Sequence, residues 1–407
     1  MKQPRLSFVL LSLGAALMAG ACSAGSAGGE GGADEDGAGG KGPGATTAVT
    51  TGNQGGSASS FGDTTATGTN GCNSGPDEDQ DGDGFTFSDG DCNDCDPNVG
   101  PNAIEVISEG EGGGGGAMEP ADEDCDGMID NVPEPCDSGI PMVATDPLDA
   151  ARVIELCKVA ANAEDWGVVS AQYVRANGLP AGLTDQWGVY GSWGPNVPAR
   201  GGENLYVMSS GKARLPADGG CGLQTCIGFD DGIAPPGFPQ DNPNCPPSTE
   251  INDDVGLDVT IKAPANATGY RFDFNFYSFE YPEWVCDFYN DQFIALVNPA
   301  PMGSVLGNIS FDSMQNPVSV NFGFFDVCAG CPQGTTALAG TGFDTWNDAG
   351  ATGWLQTTAP IGGNETFTIR FAIWDTGDEA FDSTVLVDNF AWIANGGTVI
   401  VGTEPPQ

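Results

Sequence analysis

Histidine is absent from this 407-residue sequence. Without an imidazole there is no Ser-His-Asp or Cys-His catalysis and no imidazole-ligated metal, so most common hydrolase mechanisms fall away. Cations are scarce as well: 12 Lys and Arg stand against 56 Asp and Glu, a formal net charge of −44. A chain of that sign repels nucleic acid and anionic membranes, so neither is expected as an electrostatic partner. Between Lys41 and Arg152 there is no Lys or Arg at all, and the acids of that interval have no local counter-charge.

What fills the cation-free interval is aspartate in a fixed phase. Asp79-Gln-Asp81-Gly-Asp83-Gly84-Phe85 and Asp122-Glu-Asp124-Cys-Asp126-Gly127 both read D-x-D-x-D-G. Alternate Asp residues direct three carboxylates at one centre, and the glycine permits the sharp turn that brings in the next backbone carbonyl, that of Phe85 in the first loop. This all-oxygen donor set suits a hard cation, and calcium (Ca2+) is the expected ligand. Neither loop is a standard EF-hand. The twelfth position of the first is Gly90, flanked by Asp89 and Asp91, and the second has Asp130 at its ninth position with no Glu at its twelfth. No apolar-periodic helical run flanks either loop. Between them lie Asp91-Cys92-Asn93-Asp94-Cys95-Asp96-Pro97 and Pro101-Asn-Ala-Ile-Glu105. The expected ligands are Asp79, Asp81, Asp83, Phe85, Asp89, Asp91, Asp94, Asp96, Asp122, Asp124, Asp126 and Asp130. The competing reading is an acidic, disordered spacer. Disorder accounts for the charge but not for two identical phasings, and both readings hold if the segment folds only with calcium.

Over residues 77–131 these loops, the Asp91–Asp96 cluster and the P-N-A-I-E segment resemble the Asp-rich metal-binding motif of bacterial surface proteins. They are also similar to thrombospondin type-3 repeats. The resemblance implies disulfide-tied acidic loops holding several calcium ions around little hydrophobic core. Ser108 to Met118, rich in glycine, interrupts the pattern as an insertion.

At the N-terminus, the basic Met1-Lys2-Gln-Pro-Arg5 precedes an apolar run, Leu6 to Met18, of the length of a secretory h-region. The following Leu17-Met-Ala19-Gly20-Ala21-Cys22 resembles a bacterial lipobox, departing from it at Ala19, where leucine is usual. The resemblance implies export, lipidation of Cys22 and anchoring to the outer membrane or cell surface through that lipid alone. An ordinary signal peptide cut near Ala21 is the alternative. Setting Cys22 aside leaves twelve of the 13 cysteines: Cys72, Cys92, Cys95, Cys125, Cys136, Cys157, Cys221, Cys226, Cys245, Cys286, Cys328 and Cys331. In an exported chain these are expected to pair as disulfides, with a connectivity the sequence leaves open. Cys92/Cys95 and Cys328/Cys331 have zinc or redox spacing, but the compartment favours structural disulfides.

Residues 23–71 are Gly, Ser, Ala, Thr and Asn with hardly a large apolar side chain, which reads as a flexible tether. After the Asp-rich segment comes one helix. Asp146 caps it, Pro147 suits its first position, Asp149 favours its dipole, and Ala150, Val153, Ile154, Cys157 and Ala161 form its apolar stripe. Strand patterns follow at Gly167–Val174, Leu257–Ile261, Tyr270–Phe279, Phe293–Val297, Val305–Phe311, Val318–Phe324, Thr366–Trp374 and Thr384–Trp392. In Tyr270–Phe279, Phe272, Phe274 and Phe276 fall on one face, and Arg271, Asp273 and Asn275 on the other. Short strands without crossover helices predict a mainly β fold: a disulfide-bonded antiparallel β-sandwich, jelly-roll-like, with one short helix. The expected organisation is a leader over 1–21, the lipidated cysteine and tether over 22–71, the Asp-rich module over 72–137 and the sandwich over 138–407.

Within the sandwich, Asp348–Pro360, Glu365–Asp378 and Asp382–Trp392, together with Phe279-Glu280-Tyr281-Pro-Glu283 and Asn290-Asp291, resemble the choice-of-anchor L domain of bacterial surface proteins. The resemblance spans 147–395, is most specific after Gly350, and implies fold and surface location more than any activity. Asp375, Asp378, Asp382 and Asp388, joined by Glu280 or Asp291, read either as a structural calcium site or as a solvated acidic hairpin. Trp193, Trp284, Trp346, Trp354 and Trp374 either stack on sugars or fill the core. The expected function is calcium-dependent display of the sandwich at the cell surface for adhesion or for binding a glycan or surface protein. A polysaccharide hydrolase working through paired carboxylates and a purely structural envelope protein are the alternatives.

Overall fold

The computed structural model describes residues 75–107, 120–220, 228, 231–247, 250–321, 324–346, 348–394 and 397–406. The leader, Cys22, the tether, Cys72, the glycine-rich insertion, Cys221 and Cys226 lie outside these residues. Among the described residues the strands are β1 (Gly167–Val174), β2 (Trp187–Tyr190), β3 (Leu205–Ser209), β4 (Ile251–Lys262), β5 (Gly269–Ser278), β6 (Gln292–Asn298), β7 (Val318–Ser319), β8 (Val327–Cys328), β9 (Gly350–Ala351), β10 (Leu355–Pro360), β11 (Thr366–Thr376), β12 (Ser383–Ile393) and β13 (Gly402–Glu404). All pair antiparallel, in two sheets. One runs β1-β4-β11-β6-β7, the other β13-β10-β5-β12-β3-β2, with β9 paired to β5 and β8 to β9. This is the mainly β, disulfide-bonded sandwich with one α-helix that the sequence predicts.

Alternation along β5 builds the interlayer core. Phe272, Phe274 and Phe276 are fully buried on its inner face. Phe272 meets Phe371 of β11 edge-on at 5.0 Å, and Phe274 packs on Phe293 of β6 at 4.9 Å. Each ring removed from water contributes about 1.5–3 kcal/mol, which sets the two sheets face to face. The opposite face of β5 is buried too. Tyr277 joins Leu205 and Val207 of β3 and Leu386 of β12 in a second apolar cluster, covered by Trp193, Phe279 and Phe343 from loops. Asp273 and Asn275 are therefore buried as well.

The two-sided burial explains strands that periodicity does not reveal. β3 is buried at every position, with Tyr206 and Met208 in the interlayer core and Leu205 and Val207 in the second cluster, so it shows no alternation. The pattern at Val305–Phe311 is not a strand. Leu306 and Gly307 take positive φ, pairing with β6 is limited to an isolated bridge between Leu296 and Asn308, and the buried Asn308 side chain accepts the Ala295 and Ser310 amides. The Val318 strand shrinks to two residues. The helix α1 (Pro147–Val153) is capped as expected, Asp146 accepting the Leu148 amide, but it stops before Cys157 and Ala161. Glu155, at φ 73°, turns the chain, and Cys157 is held in a disulfide to Cys136.

That turn fixes the exit of the Asp-rich segment. Asp137 is fully buried, and its Oδ2 accepts the amides of Glu203 and Asn204 at 2.9 and 2.6 Å. Its other oxygen and Glu155 Oε1 are buried atoms without hydrogen-bond partners. Burial and then the Asp137 charge push Glu155 up to about 7. Burial likewise pushes Asp388, close to Glu155, up to about 7. An acid raised on folding stabilises below its unfolded value and loses that contribution as pH climbs through the folded one. In chelator, the melting temperature is expected to fall from about pH 5 to about pH 8. Glu155→Gln, whose amide can donate to Asp137, should raise stability at the upper end by about 1 kcal/mol, discounted for partial exposure, and flatten the slope without abolishing it. Thermal melts at several pH values check both; a slope unchanged in Glu155→Gln would contradict the assignment.

Candidate metal centre

The two D-x-D-x-D-G loops fold on the same internal hydrogen bonds. In the first, Asp79 Oδ2 accepts the Gly84 amide at 3.2 Å, Asp81 Oδ1 the Asp83 amide at 3.1 Å and Asp83 Oδ1 the Phe85 amide at 2.7 Å. In the second, Asp122 Oδ2 accepts from Gly127 at 3.0 Å, Asp124 Oδ1 from Asp126 at 3.1 Å and Asp126 Oδ1 from Met128 at 2.7 Å. Each short side chain fastens to the backbone ahead of it, a local closure that Asp makes readily. The required bend falls on Gly84 and Gly127, at φ 100° and 90°.

These closures gather carboxylates. One oxygen each of Asp79, Asp81 and Asp83 lie within 4.8 Å of one another, and so do oxygens of Glu105, Asp122 and Asp124. Asp91 and Asp94, both buried, stand against the first group, Asp94 accepting the Gln80 amide at 3.0 Å. Burial above all, then the charges of Asp81, Asp91 and Asp79, push Asp83 up to about 6. Burial, with Asp126, Glu105 and Asp122 nearby, raises Asp124. Asp81 Oδ2, Asp91 Oδ2 and Asp122 Oδ1 are buried with no hydrogen-bond partner. Converging oxygens of this kind are the donor type that a hard cation takes, so both groups could hold one.

Not every expected ligand joins these groups. Asp89 is exposed and accepts the Thr86 hydroxyl at 2.7 Å, while Asp96 closes on Asn98. Phe85 follows the first loop with its amide held by Asp83. Asp126 closes the second loop and also accepts the Asn131 side chain; Asp130 donates its amide to Glu105. Glu105 is the residue that sequence reasoning passed over. Its Oε1 accepts the Glu123 and Asp124 amides at 3.1 and 3.2 Å, and its Oε2 the Asp130 amide at 2.6 Å. Sixteen residues lie between it and Asp122, the start of the loop it joins, so spacing does not reveal it. The signal was present only in its position after P-N-A-I.

The loops are tied to each other and to the sandwich. Cys92–Cys125 joins them, and the Gly100 amide donates to the Glu123 carbonyl at 2.8 Å. Cys92 and Cys95, spaced like metal ligands, do not pair with each other; Cys95 is also disulfide-bonded. Just ahead of Glu105, the Asn102 carbonyl accepts the Ala265 amide at 2.8 Å. Buried Asn266 brackets Ile104, accepting its amide at 3.0 Å and donating to its carbonyl at 2.7 Å. One tetrapeptide thus docks on the β4–β5 turn and supplies a carboxylate to the second loop.

In the sandwich, Cys245–Cys286 and Cys328–Cys331 are disulfides. The acids divide. Glu280, Asp291 and Asp375 are buried near one another, which excludes a solvated hairpin there. Asp388 lies elsewhere, accepting the Arg200 amide at 2.6 Å, and Asp378 turns to the Ala380 amide. Trp193 and Trp374 are core residues, whereas Trp346 is exposed.

Residues 261–391 match the Choice-of-anchor L domain family. The match runs from the end of β4 into β12 and is narrower than the 147–395 expected from sequence; the Asp-rich loops fall outside it. It supports a surface-associated, β-rich protein. No curated protein matches the chain. No helix among the described residues is long and apolar enough to cross a membrane.

Asn266→Ala removes both bonds to Ile104 and is expected to cost about 1–3 kcal/mol. It should also speed hydrogen exchange at Ile104 and proteolysis within 75–107 more than within β4 or β5. Equal protection of both regions in the variant would show that the Asp-rich segment holds its position without this clamp.

Proposed function

We propose that this chain is a calcium-binding surface protein whose Asp-rich loops order on the ion and fix the presentation of the β-sandwich, for adhesion or for binding a glycan or surface protein. The observation that carries the reading is the shared hydrogen-bond register of the two loops, which aims carboxylates at a common point in each. A lipid on Cys22 would supply the anchor to the outer membrane or cell surface, and the ion would enter from outside.

The mechanism follows from charge. Without a cation the converging carboxylates repel, and with no Lys or Arg in the segment only protons or water relieve them. Calcium replaces that relief with six to eight oxygen contacts and couples binding to folding. Glu105 then transmits order: holding it in the second loop holds Asn102 and Ile104 on the β4–β5 turn.

Calorimetric titration with calcium, alongside circular dichroism, tests the reading on the wild type and on Asp81→Ala plus Asp124→Ala. More than one ion should bind, with a gain in order, and the double variant should lose most of both. Glu105→Gln should weaken the second site at least about tenfold while leaving the first intact. Absence of binding at millimolar calcium, the range of extracellular modules, would sink the proposal.

A further inference from the structure

At one end of the sandwich, strands from both sheets bring three carboxylates into the interior. Glu280 lies two residues beyond β5, Asp291 directly precedes β6, and Asp375 is the penultimate residue of β11. Their exposures are 1%, 0% and 1%. Asp382, directly before β12, adds a further charge beside Asp375. β5 and β12 belong to one sheet, β6 and β11 to the other.

Asp291 stands between its neighbours with both oxygens accepting: Oδ1 from the Thr376 amide at 2.8 Å and Oδ2 from the Ser383 hydroxyl at 2.6 Å. Asp375 Oδ1 accepts the Ser210 hydroxyl. Glu280 Oε2 and Asp375 Oδ2, on either side, are buried without a hydrogen-bond partner, and so is the Thr376 hydroxyl. None of the described ion pairs reaches Glu280, Asp291 or Asp375.

A buried carboxylate without a counter-charge costs several kcal/mol, and neighbouring ones add repulsion. Something must answer that charge. We infer that Glu280, Asp291 and Asp375 form a second, independent hard-cation site in which a calcium ion joins the strand ends of the two sheets. The donors are all oxygen, as calcium takes them, and the two unpartnered carboxylate oxygens supply the coordination that backbone and hydroxyl groups leave unused. The Asp291 side chain lies within hydrogen-bond reach of both Glu280 and Asp375, so an ion would bind where these acids otherwise share protons. Protons are the competitor, because burial and then mutual repulsion hold all three acids well above the usual carboxylate range.

Terbium ion is the probe that separates this site from the loops. Trp374 adjoins Asp375, and the Trp284 amide donates to the Glu280 carbonyl at 2.9 Å. Residues 75–137 contain neither Trp nor Tyr. The full chain carrying Asp81→Asn plus Asp124→Asn should keep tryptophan-sensitised terbium emission that calcium displaces, and a calcium-dependent rise in melting temperature. Asp375→Asn, or Glu280→Gln in its place, should lose both while retaining calorimetric calcium binding at the loops. Loss of both signals in the loop variant overturns the inference. Their retention in Asp375→Asn overturns it equally, leaving the acids as proton-sharing neighbours. Should neither sandwich variant fold, the loop variant alone decides.

Discussion

Negative charge without cations is the constraint around which this protein is built. Of 12 Lys and Arg, none lies between residues 42 and 151, and several of the rest serve carbonyls instead of acids. Arg214 donates to the Thr184, Trp187 and Ala213 carbonyls, and Lys262 to those of Ala163 and Glu164. Three further guanidiniums each fasten a strand or a loop. Arg370 on β11 grips Asp258 on β4, Arg175 holds Asp254, and Arg200 meets Asp273 while lying 5.7 Å over the Trp354 ring. Apart from these and the pairs Arg152–Asp149, Lys158–Asp165 and Lys212–Asp185, the carboxylates described above are answered by backbone amides, side-chain amides and hydroxyls. Such donors orient an acid but do not cancel its charge. That difference leaves oxygens in the Asp loops and in the sandwich facing one another.

The same economy shapes the fold. A sheet with one wet face could place its acids in solvent, but β5 and β3 are covered on both sides, so Asp273 and Asn275 must be satisfied inside. Gln356 and Asn389 reach Asp273 for that purpose, at 2.9 Å each. Aromatic rings hold the layers together and interior polar pairs fix their alignment.

Strand patterns made β1, β4, β5, β6, β11 and β12 legible in the sequence, and the Asp146-Pro147 pair marked the start of the only α-helix described. β3 escaped because both its faces are apolar, and β10 because its inward residues include Thr357 and Ala359, which carry little hydrophobic signal. Val305–Phe311 misled because a side-chain turn at Asn308 uses the same apolar neighbours without a ladder. For the candidate metal centre, phase was enough to mark the two loops, since each closes on its own backbone. Phase does not reveal that Asp89 and Asp96 turn to a nearby hydroxyl or amide, or that Glu105, held beside the docking turn, lies with Asp122 and Asp124. Local chemistry was readable; what long-range contacts assemble was not.

The Cys92–Cys125 bond also determines how the protein would carry tension. A pull that reaches Cys92 would cross to Cys125 through that bond, so the 32 residues between them, on the order of 110 Å of contour, would add nothing to the chain's reach. Cys136–Cys157 then bypasses α1 in the same way. Force would reach β1 by two covalent shortcuts before any sheet hydrogen bond bears it. For a domain held against flow at a surface, the Asp-rich segment would serve as a short, inextensible link.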